Sequence, residues 1–338
     1  PRCDTPPKRN ELVPNQEQSA AAPPLPILAL HDGRAGNRRQ ALALAAALAG
    51  DAGEIVLAPR PPWRWLAPRV LPLAGHAFGP GFAALAGQAP GIAIGCGRQA
   101  ALATRLLRRH GWKTVQILDP RLPPRHWDLL VVPAHDRLRG ANVLPLDGSL
   151  NPVDEAWLAA GRAAFPQLAA LPAPRVGVLV GGPTRHAPWD ADDARAAFAR
   201  IAADVRARGG SVLATTSRRT PAAVADALRG ACAGLPGIVW TGAADGPNPY
   251  AGLLGWADRL ACTCDSVNLL SEACATAVPV EVIAPMRARG RAGAFVARLQ
   301  ALRRIGAGDA AAPDLHARPL RETARIARHV RQRLGLDG

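Results

Sequence analysis

The sequence predicts an α/β fold of two domains, each built on a parallel sheet. Short apolar segments of strand length alternate with helical segments along most of the 338 residues, a pattern typical of βαβ units. The order of strand, glycine-containing loop and helix starts twice, at residue 26 and again at residue 175. The chain is also longer than one hydrophobic core usually organises, since domains commonly hold ~150 residues. We therefore expect two Rossmann-like domains whose parallel sheets face a central cleft.

The first domain, predicted over residues 25–170, contains four apolar segments that fit buried strands. They cover residues 26–30, 92–95, 114–118 and 128–132. Helices rich in alanine and leucine follow the first two strands and end near residues 49 and 110. The proline-rich stretches at 59–72 and 120–125 are expected to be connections, because proline cannot donate to a sheet ladder.

The second domain, predicted over residues 171–312, follows a proline-rich linker at 171–174. Its predicted strands cover residues 175–180, 211–215, 237–240, 258–263 and 278–283, and its helices include 221–230, 267–277 and a long helix that begins at Asp190. Residues 1–24 are polar and proline-rich and predict a disordered tail. Residues 313–338 contain an amphipathic helix, which we expect to pack across the domain junction.

The net charge of +15 is carried almost entirely by arginine, with only two lysines in the chain. These arginines are spread along the sequence, so they indicate solvated helix faces rather than a specific nucleic-acid surface. No apolar run reaches the ~20 residues of a membrane-spanning helix, and no signal peptide is evident. A cytoplasmic location is the resulting expectation.

Metal chemistry finds little support in the sequence. The six cysteines lack paired CxxC spacing and are expected to be reduced, mostly buried residues. Asp190 and Asp192 have the spacing of a DxD metal motif, but they stand at a helix start, where N-capping explains them. We therefore expect no metal site and no permanently bound cofactor.

Three loops of the second domain are candidates for binding a nucleotide, because ligands of open parallel sheets lie beyond the carboxyl ends of the strands. Gly181 and Gly182, followed by Thr184, would let a phosphate approach the backbone, although glycine pairs are also common in turns. In the next loop, Ser217, Arg218 and Arg219 precede a helix. Either arginine would suit a phosphate, and an ordinary helix cap with two surface arginines explains the pattern equally well.

The third loop is the most informative. Asp265 or Ser266 is expected to cap a helix that also carries Ser271 and Glu272. Glu272 would project toward the same cleft, where a carboxylate accepts hydrogen bonds from a ribose diol. The alternative is a solvated helix glutamate.

Several motifs together resemble a known family over residues 26–305. They occupy residues 31–37, 119–121, 132–136, 142–144, 148–151, 181–183, 216–221, 248–250 and 263–273. The chain resembles the mitochondrial fission family named for the plant elongated-mitochondria phenotype, which has bacterial members, within the superfamily of glycosyltransferases of the B-type fold. It departs from the family pattern at residues 38–39, where Arg38 and Arg39 separate Asn37 from Gln40, and at Ala134, which stands where relatives have glutamate.

The resemblance implies a nucleotide-diphosphate sugar as ligand, with Glu272 binding ribose and the helix start at Ser266 holding the diphosphate. The first domain would then hold the acceptor. Inverting transfer requires a base near the attacking hydroxyl, and the candidates are His31 with Asp32 and His135 with Asp136. In each pair, a capping aspartate and a histidine bonded to backbone is the structural alternative.

Two functions remain open from the sequence. One is transfer of a sugar from a nucleotide without a metal. The other is a non-catalytic adaptor that binds protein partners at a membrane surface, such as the inner face of the cell membrane. A nicotinamide-dependent enzyme is disfavoured, because neither glycine-containing loop has GxGxxG spacing. The enzymatic hypothesis requires Glu272 to face the interdomain groove. If that carboxylate pointed into bulk solvent or were locked in an unrelated salt bridge, the hypothesis would fail and only the two-domain scaffold would stand.

Overall fold

A computed structural model of the chain describes residues 25–48, 50, 52–306 and 318–336. The predicted disordered tail at 1–24 lies outside the described residues. The first sheet has six parallel strands in the order β2-β1-β3-β4-β5-β6. They are β1 (Ile27–His31), β2 (Gly53–Val56), β3 (Ile92–Cys96), β4 (Lys113–Ile117), β5 (Leu129–Pro133) and β6 (Val143–Leu146).

The second sheet has five parallel strands in the order β11-β10-β7-β8-β9. They are β7 (Arg175–Val180), β8 (Ser211–Thr216), β9 (Gly237–Trp240), β10 (Arg259–Thr263) and β11 (Val280–Ile283). The prediction of two parallel α/β sheets is thus confirmed. The edge strands β2 and β6 were not predicted from sequence, because β2 is largely exposed and β6 contains a proline, so neither presents a continuous apolar run.

Eleven α-helices connect the strands in the described parts of the chain. Those that precede β7 are α1 (Ala35–Leu48), α2 (Trp63–Leu66), α3 (Pro80–Ala86), α4 (Arg98–Arg108) and α5 (Glu155–Ala164). Those that follow are α6 (Ala191–Ala207), α7 (Ala222–Cys232), α8 (Tyr250–Trp256), α9 (Val267–Cys274), α10 (Gly290–Ala301) and α11 (Glu322–Leu334). No described helix is both long enough and apolar enough to cross a bilayer.

The boundary between the two cores lies earlier in the chain than residue 170. Val153, Leu158 and Leu168 are buried in the core of the second sheet. Helix α5 packs so closely on α8 that a Cβ on Gly161 would lie 2.4 Å from the Ala251 carbonyl oxygen. The proline-rich segment at 171–174 therefore leads from an element already packed in the second domain into β7, and it is not the crossing point.

The last helix returns the chain to the first domain. Before it, the Leu320 amide donates to the Cys274 carbonyl oxygen at 2.8 Å in the second domain. Ile326, Val330 and Leu334 of α11 are then buried with the core of the first sheet. The predicted amphipathic helix is present, but the segment before α11 makes the crossing, and the helix itself packs on the first domain.

Candidate functional site

The carboxyl ends of the two sheets face each other across the domain junction. Gly36, at the start of α1, and Asn268, at the start of α9, are in direct contact, since a Cβ on Gly36 would lie 2.4 Å from the Asn268 Nδ2. Helix α1 follows β1 of the first sheet, and α9 follows β10 of the second. The loop after β1 and the loop after β10 therefore meet at the domain junction, and we call this meeting point the interdomain groove.

Glu272 lies in this groove and is only 1% exposed. Arg39 Nη1, from the first domain, donates to its two carboxylate oxygens at 2.6 and 2.7 Å, and the Tyr250 hydroxyl donates to Oε2. The Arg39 side chain remains 42% exposed. Burial and the adjacent carboxylate raise the pKa of Tyr250 well above its ordinary value. Glu272 thus lies at the domain junction, where its carboxylate is held by an interdomain salt bridge, so a ligand could reach it only after Arg39 leaves.

Asp265 is a heavily hydrogen-bonded carboxylate in the loop after β10. Its side chain is fully buried, and it accepts from the Gly182 amide at 3.0 Å, from Trp189 Nε1 at 3.0 Å and from the Thr263 hydroxyl at 2.7 Å. Arg219 adds an ion pair at 3.1 Å. Asp265 therefore has a structural role here and does not cap α9.

Ser266 is the N-cap of α9, because its Oγ accepts from the Leu269 amide at 3.3 Å. Leu269 is the third residue of that helix, which is the usual target of a capping serine. Of the two residues that the sequence offered for this position, the structure selects Ser266. The first two amides of an α-helix have no intrahelical acceptor, and this is the helix start at which the resemblance implied a diphosphate.

The glycine pair does not offer its amides to a ligand. The Gly181 amide donates to the Thr263 hydroxyl at 2.8 Å, and the Gly182 amide donates to Asp265. A Cβ on Gly182 would lie 2.3 Å from the Arg219 carbonyl oxygen, so the glycine is needed for close backbone packing. The predicted phosphate cradle is occupied by a protein carboxylate.

The remaining predicted nucleotide-binding residues have varied surroundings. The Thr184 and Ser217 hydroxyls accept from the backbone amides two residues further on, at 3.3 and 3.2 Å. Ser271 accepts from the Ser149 amide at 3.0 Å and joins the two domains. Arg218 is exposed and forms no ion pair among the described residues, which leaves its guanidinium open to an anion.

His31, one of the predicted bases, has both ring nitrogens engaged. The side chain is fully buried, Nδ1 accepts from the Gly33 amide at 3.1 Å, and Nε2 donates to Glu54 at 2.9 Å. Because Nδ1 is an acceptor, the proton is on Nε2. This is the backbone-bonded histidine of the structural alternative, and it presents no free nitrogen to an acceptor. The neighbouring Asp32 accepts from Asn37 Nδ2 at 2.9 Å.

His135 and Asp136 lie after β5 and contact α10 of the second domain. Asp136 pairs with Arg291 Nε at 2.9 Å, and the His135 ring lies 5.9 Å from that of Phe295. Burial lowers the pKa of His135, against the opposing effect of Asp136 and Asp147. His135 is therefore neutral at neutral pH and is the predicted base with an unbonded ring in this structure.

The sequence analysis missed a cavity of about 440 Å³ at the carboxyl ends of β3, β4 and β5. Its charged lining comprises Arg69, Arg98, Arg121, Arg291, Asp119 and Asp136. One sequence signal was available, because residues 55–118 contain seven arginines and one lysine but no aspartate or glutamate. We call this cavity the first-domain pocket.

In the described residues, no group of three histidine, cysteine, aspartate or glutamate side chains is placed to hold a metal ion. Asp190 accepts from the amides of Asp192 and Asp193 at 3.0 and 2.9 Å, and the Asp193 side chain accepts from the Asp190 amide, which completes a capping box. The DxD spacing at 190–192 thus serves the start of α6.

Two solved structures share this architecture over nearly their whole length. S. aureus MnaA, solved with UDP, aligns with a TM-score of 0.50 and 10% identity over 92% of this chain and 98% of its own. The UDP-GlcNAc 2-epimerase of Methanocaldococcus jannaschii aligns with a TM-score of 0.50 and 12% identity, over 90% and 99%. At such identities the likeness concerns the fold alone, and the predicted B-type glycosyltransferase fold is confirmed.

A family model described as mitochondrial fission ELM1 matches residues 35–334. The mitochondrial fission protein ELM1 of Arabidopsis thaliana is 30% identical over 280 residues, which cover 74% of this chain. The chain spans 65% of the length of that plant protein. On the extent of the family match and the identity to the plant protein, the chain belongs to the mitochondrial fission ELM1 family.

Proposed function

We propose that this protein binds a nucleotide-diphosphate sugar in the interdomain groove, with the Glu272 carboxylate accepting hydrogen bonds from the ribose hydroxyls. The observation that carries the proposal is the position of Glu272, a buried carboxylate at the meeting point of the two sheets whose guanidinium partner comes from the opposite domain. A buried charge is costly unless it is paired, so a carboxylate kept at a cleft is a candidate for ligand binding. The MnaA structure with UDP supports the same ligand class by fold analogy.

Binding requires that Arg39 leave Glu272. The Arg39 side chain is partly exposed and long, so it can move to water or to the ligand when the groove opens. Once released, Arg39 and the unpaired Arg218 would neutralise the diphosphate, a charge that other enzymes balance with a metal ion. The amides at the start of α9 would add donors to the same group.

Sugar transfer from such a complex would proceed by attack of an acceptor hydroxyl on the anomeric carbon. The bond from that carbon to the diphosphate oxygen breaks, the nucleoside diphosphate leaves, and the hydroxyl proton goes to a base of the first domain. Among the predicted bases, His135 is neutral with an unbonded ring, whereas both nitrogens of His31 are engaged. We therefore favour His135 for this role.

Isothermal titration calorimetry with UDP-, GDP-, ADP- and CMP-sugars tests the proposal. Glu272→Gln should weaken binding of the preferred sugar nucleotide at least tenfold, because the amide cannot accept two hydrogen bonds from a diol. Arg39→Ala should change binding less than Glu272→Gln does, because it removes both the competitor for the Glu272 carboxylate and a guanidinium that would neutralise the diphosphate. Glu281→Gln, which alters a paired glutamate on β11, is the matched control and should change nothing.

A non-catalytic adaptor is the second candidate, and one observation favours it. The carboxylates of Glu272 and Asp265 and the glycine amides are all bonded to the protein itself. In that case no sugar nucleotide binds, Glu272→Gln affects only stability, and partner proteins are retained with the groove closed. Absence of binding to the whole panel, with intact partner capture, decides for the adaptor.

A further inference from the structure

We propose that the first-domain pocket and its apolar rim bind the phosphate head of an anionic membrane lipid. The pocket of about 440 Å³ falls within the size range of small-molecule sites, about 300–1,000 Å³. It opens beside Trp65 and Leu66 of α2, which also line it. The proposal goes beyond the proposed function, because lipid binding in this pocket requires no sugar nucleotide.

The charge of the pocket favours an anion. Asp119 pairs with Arg121 at 3.3 Å, and Asp136 pairs with Arg291 at 2.9 Å, so each carboxylate is already balanced. Arg98 and Arg69 have no carboxylate partner among the described residues. The pocket therefore has two positive charges that no carboxylate balances, although the Arg98 guanidinium also donates to the Trp65 and Arg64 carbonyl oxygens at 3.2 and 3.3 Å. Such a charge favours a phosphate.

The rim is apolar and held outward. Trp65 and Leu66 are 64% and 40% exposed, and they are two of the seven large hydrophobic residues found exposed in the described chain. Arg98 donates to the Trp65 carbonyl oxygen at 3.2 Å, which ties the backbone of the rim to α4. An exposed tryptophan and leucine beside arginines are typical of segments that enter the membrane interface.

Two residues of the pocket lining have a strained backbone. Five described residues other than glycine have positive φ, and Leu118 and Arg121 of the lining are two of them. Such conformations cost free energy in residues with a side chain and cluster at ligand sites.

The identity of the ligand follows from combining these features. A free phosphate would pair with the arginines, but it would leave the apolar side chains of Trp65 and Leu66 in contact with water. A phosphate that carries acyl chains satisfies both, since the head enters the pocket and the chains lie against the rim. The rim lies in the stretch 55–118, which contains no acidic side chain, so the surface beside the pocket adds no carboxylate from this stretch to repel an anionic bilayer.

Vesicle flotation of the full chain tests the proposal. The probes are vesicles of phosphatidylcholine alone and vesicles with phosphatidylglycerol, in buffer at about 0.15 M salt and without sugar nucleotides. We expect binding to the anionic vesicles and at least a tenfold loss of partitioning in the Trp65→Ser, Leu66→Ser double variant. Met286→Ser removes a side chain that is 63% exposed elsewhere and should leave partitioning unchanged.

A second pair of variants separates this site from general attraction by a chain of net charge +15. Arg69→Ala with Arg98→Ala should reduce partitioning about tenfold more than Arg206→Ala with Arg303→Ala, which removes the same charge from two exposed positions of the second domain. Equal losses in the two double variants overturn the proposal, as does no binding to anionic vesicles. Competition by inorganic phosphate, combined with indifference to the rim variant, would instead assign the pocket to a free anion.

Discussion

Two regions lie at the carboxyl ends of a parallel sheet and differ in what occupies them. One is the first-domain pocket, and the other is the Asp265 cluster of the second domain, formed by Asp265, Gly182, Trp189 and Arg219. In the cluster, Asp265 accepts hydrogen bonds from the Gly182 amide, Trp189 Nε1 and Arg219 Nη2. In the pocket, the corresponding volume is open and has surplus arginines. A loop sequence suited to anions thus predicts an anion site, but it does not predict whether a carboxylate of the protein or an external ligand occupies that site.

The largest effect on stability is expected from removing the carboxylate at the centre of the Asp265 cluster. Asp265→Ala would leave the Gly182 amide and Trp189 Nε1 buried without acceptors and would free Arg219, so we expect a loss of about 3–5 kcal/mol in the free energy of unfolding. Urea denaturation measures it. Asp192→Ala, whose side chain is 88% exposed, is the control and should cost under about 0.5 kcal/mol. A small loss in the Asp265 variant would mean that the cluster is open to ligands after all.

The next largest effect on stability is expected from breaking the interdomain ion pair between Arg39 and Glu272. Arg39→Ala leaves the buried Glu272 carboxylate without its cation, and we expect a loss of about 3 kcal/mol. Glu272→Gln should cost only about 1 kcal/mol, because the partly exposed Arg39 can be rehydrated. Thermal unfolding of the two variants side by side checks this asymmetry, and equal losses would contradict the burial difference.

A smaller effect tests whether the aspartates at the start of α6 are structural. Asp190→Ala removes the capping box, and we expect a loss of about 1 kcal/mol. Asn at the same position should restore most of it, since asparagine caps helices as well as aspartate does. If added Mn²⁺ stabilised the wild-type protein but not the Asp190→Ala variant, the aspartates would have to be assigned to a metal.

The smallest effect on stability is expected in the first-domain pocket. Arg69→Ala removes an exposed guanidinium with no carboxylate partner among the described residues, so the free energy of unfolding should change by less than about 0.5 kcal/mol. Urea denaturation under the conditions used for Asp265→Ala makes the contrast direct. A loss above 1 kcal/mol would show that the pocket is structurally filled, as the Asp265 cluster is.

Central strands were predictable because they are apolar on both faces, and their predicted ends lie within two residues of those observed. Ser266 as a cap and Glu272 at the groove also followed from local sequence, since both depend on a single strand, loop and helix. The salt bridge from Arg39 to Glu272 did not, because its partners are separated by 233 residues. The first-domain pocket was missed because its arginines come from four separate segments.

The sequence by itself determined the alternation of strands and helices, the two sheets and the positions of the helix caps, because these depend on hydrophobic period and on hydrogen bonds between near neighbours. Only the tertiary structure decided which candidate groups are free. Whether a buried carboxylate, a glycine amide or a histidine nitrogen meets a ligand depends on donors and acceptors brought to it from distant segments. In this protein those partners fill the second-domain loop cluster, hold the groove with one interdomain ion pair, and leave the first-domain pocket open.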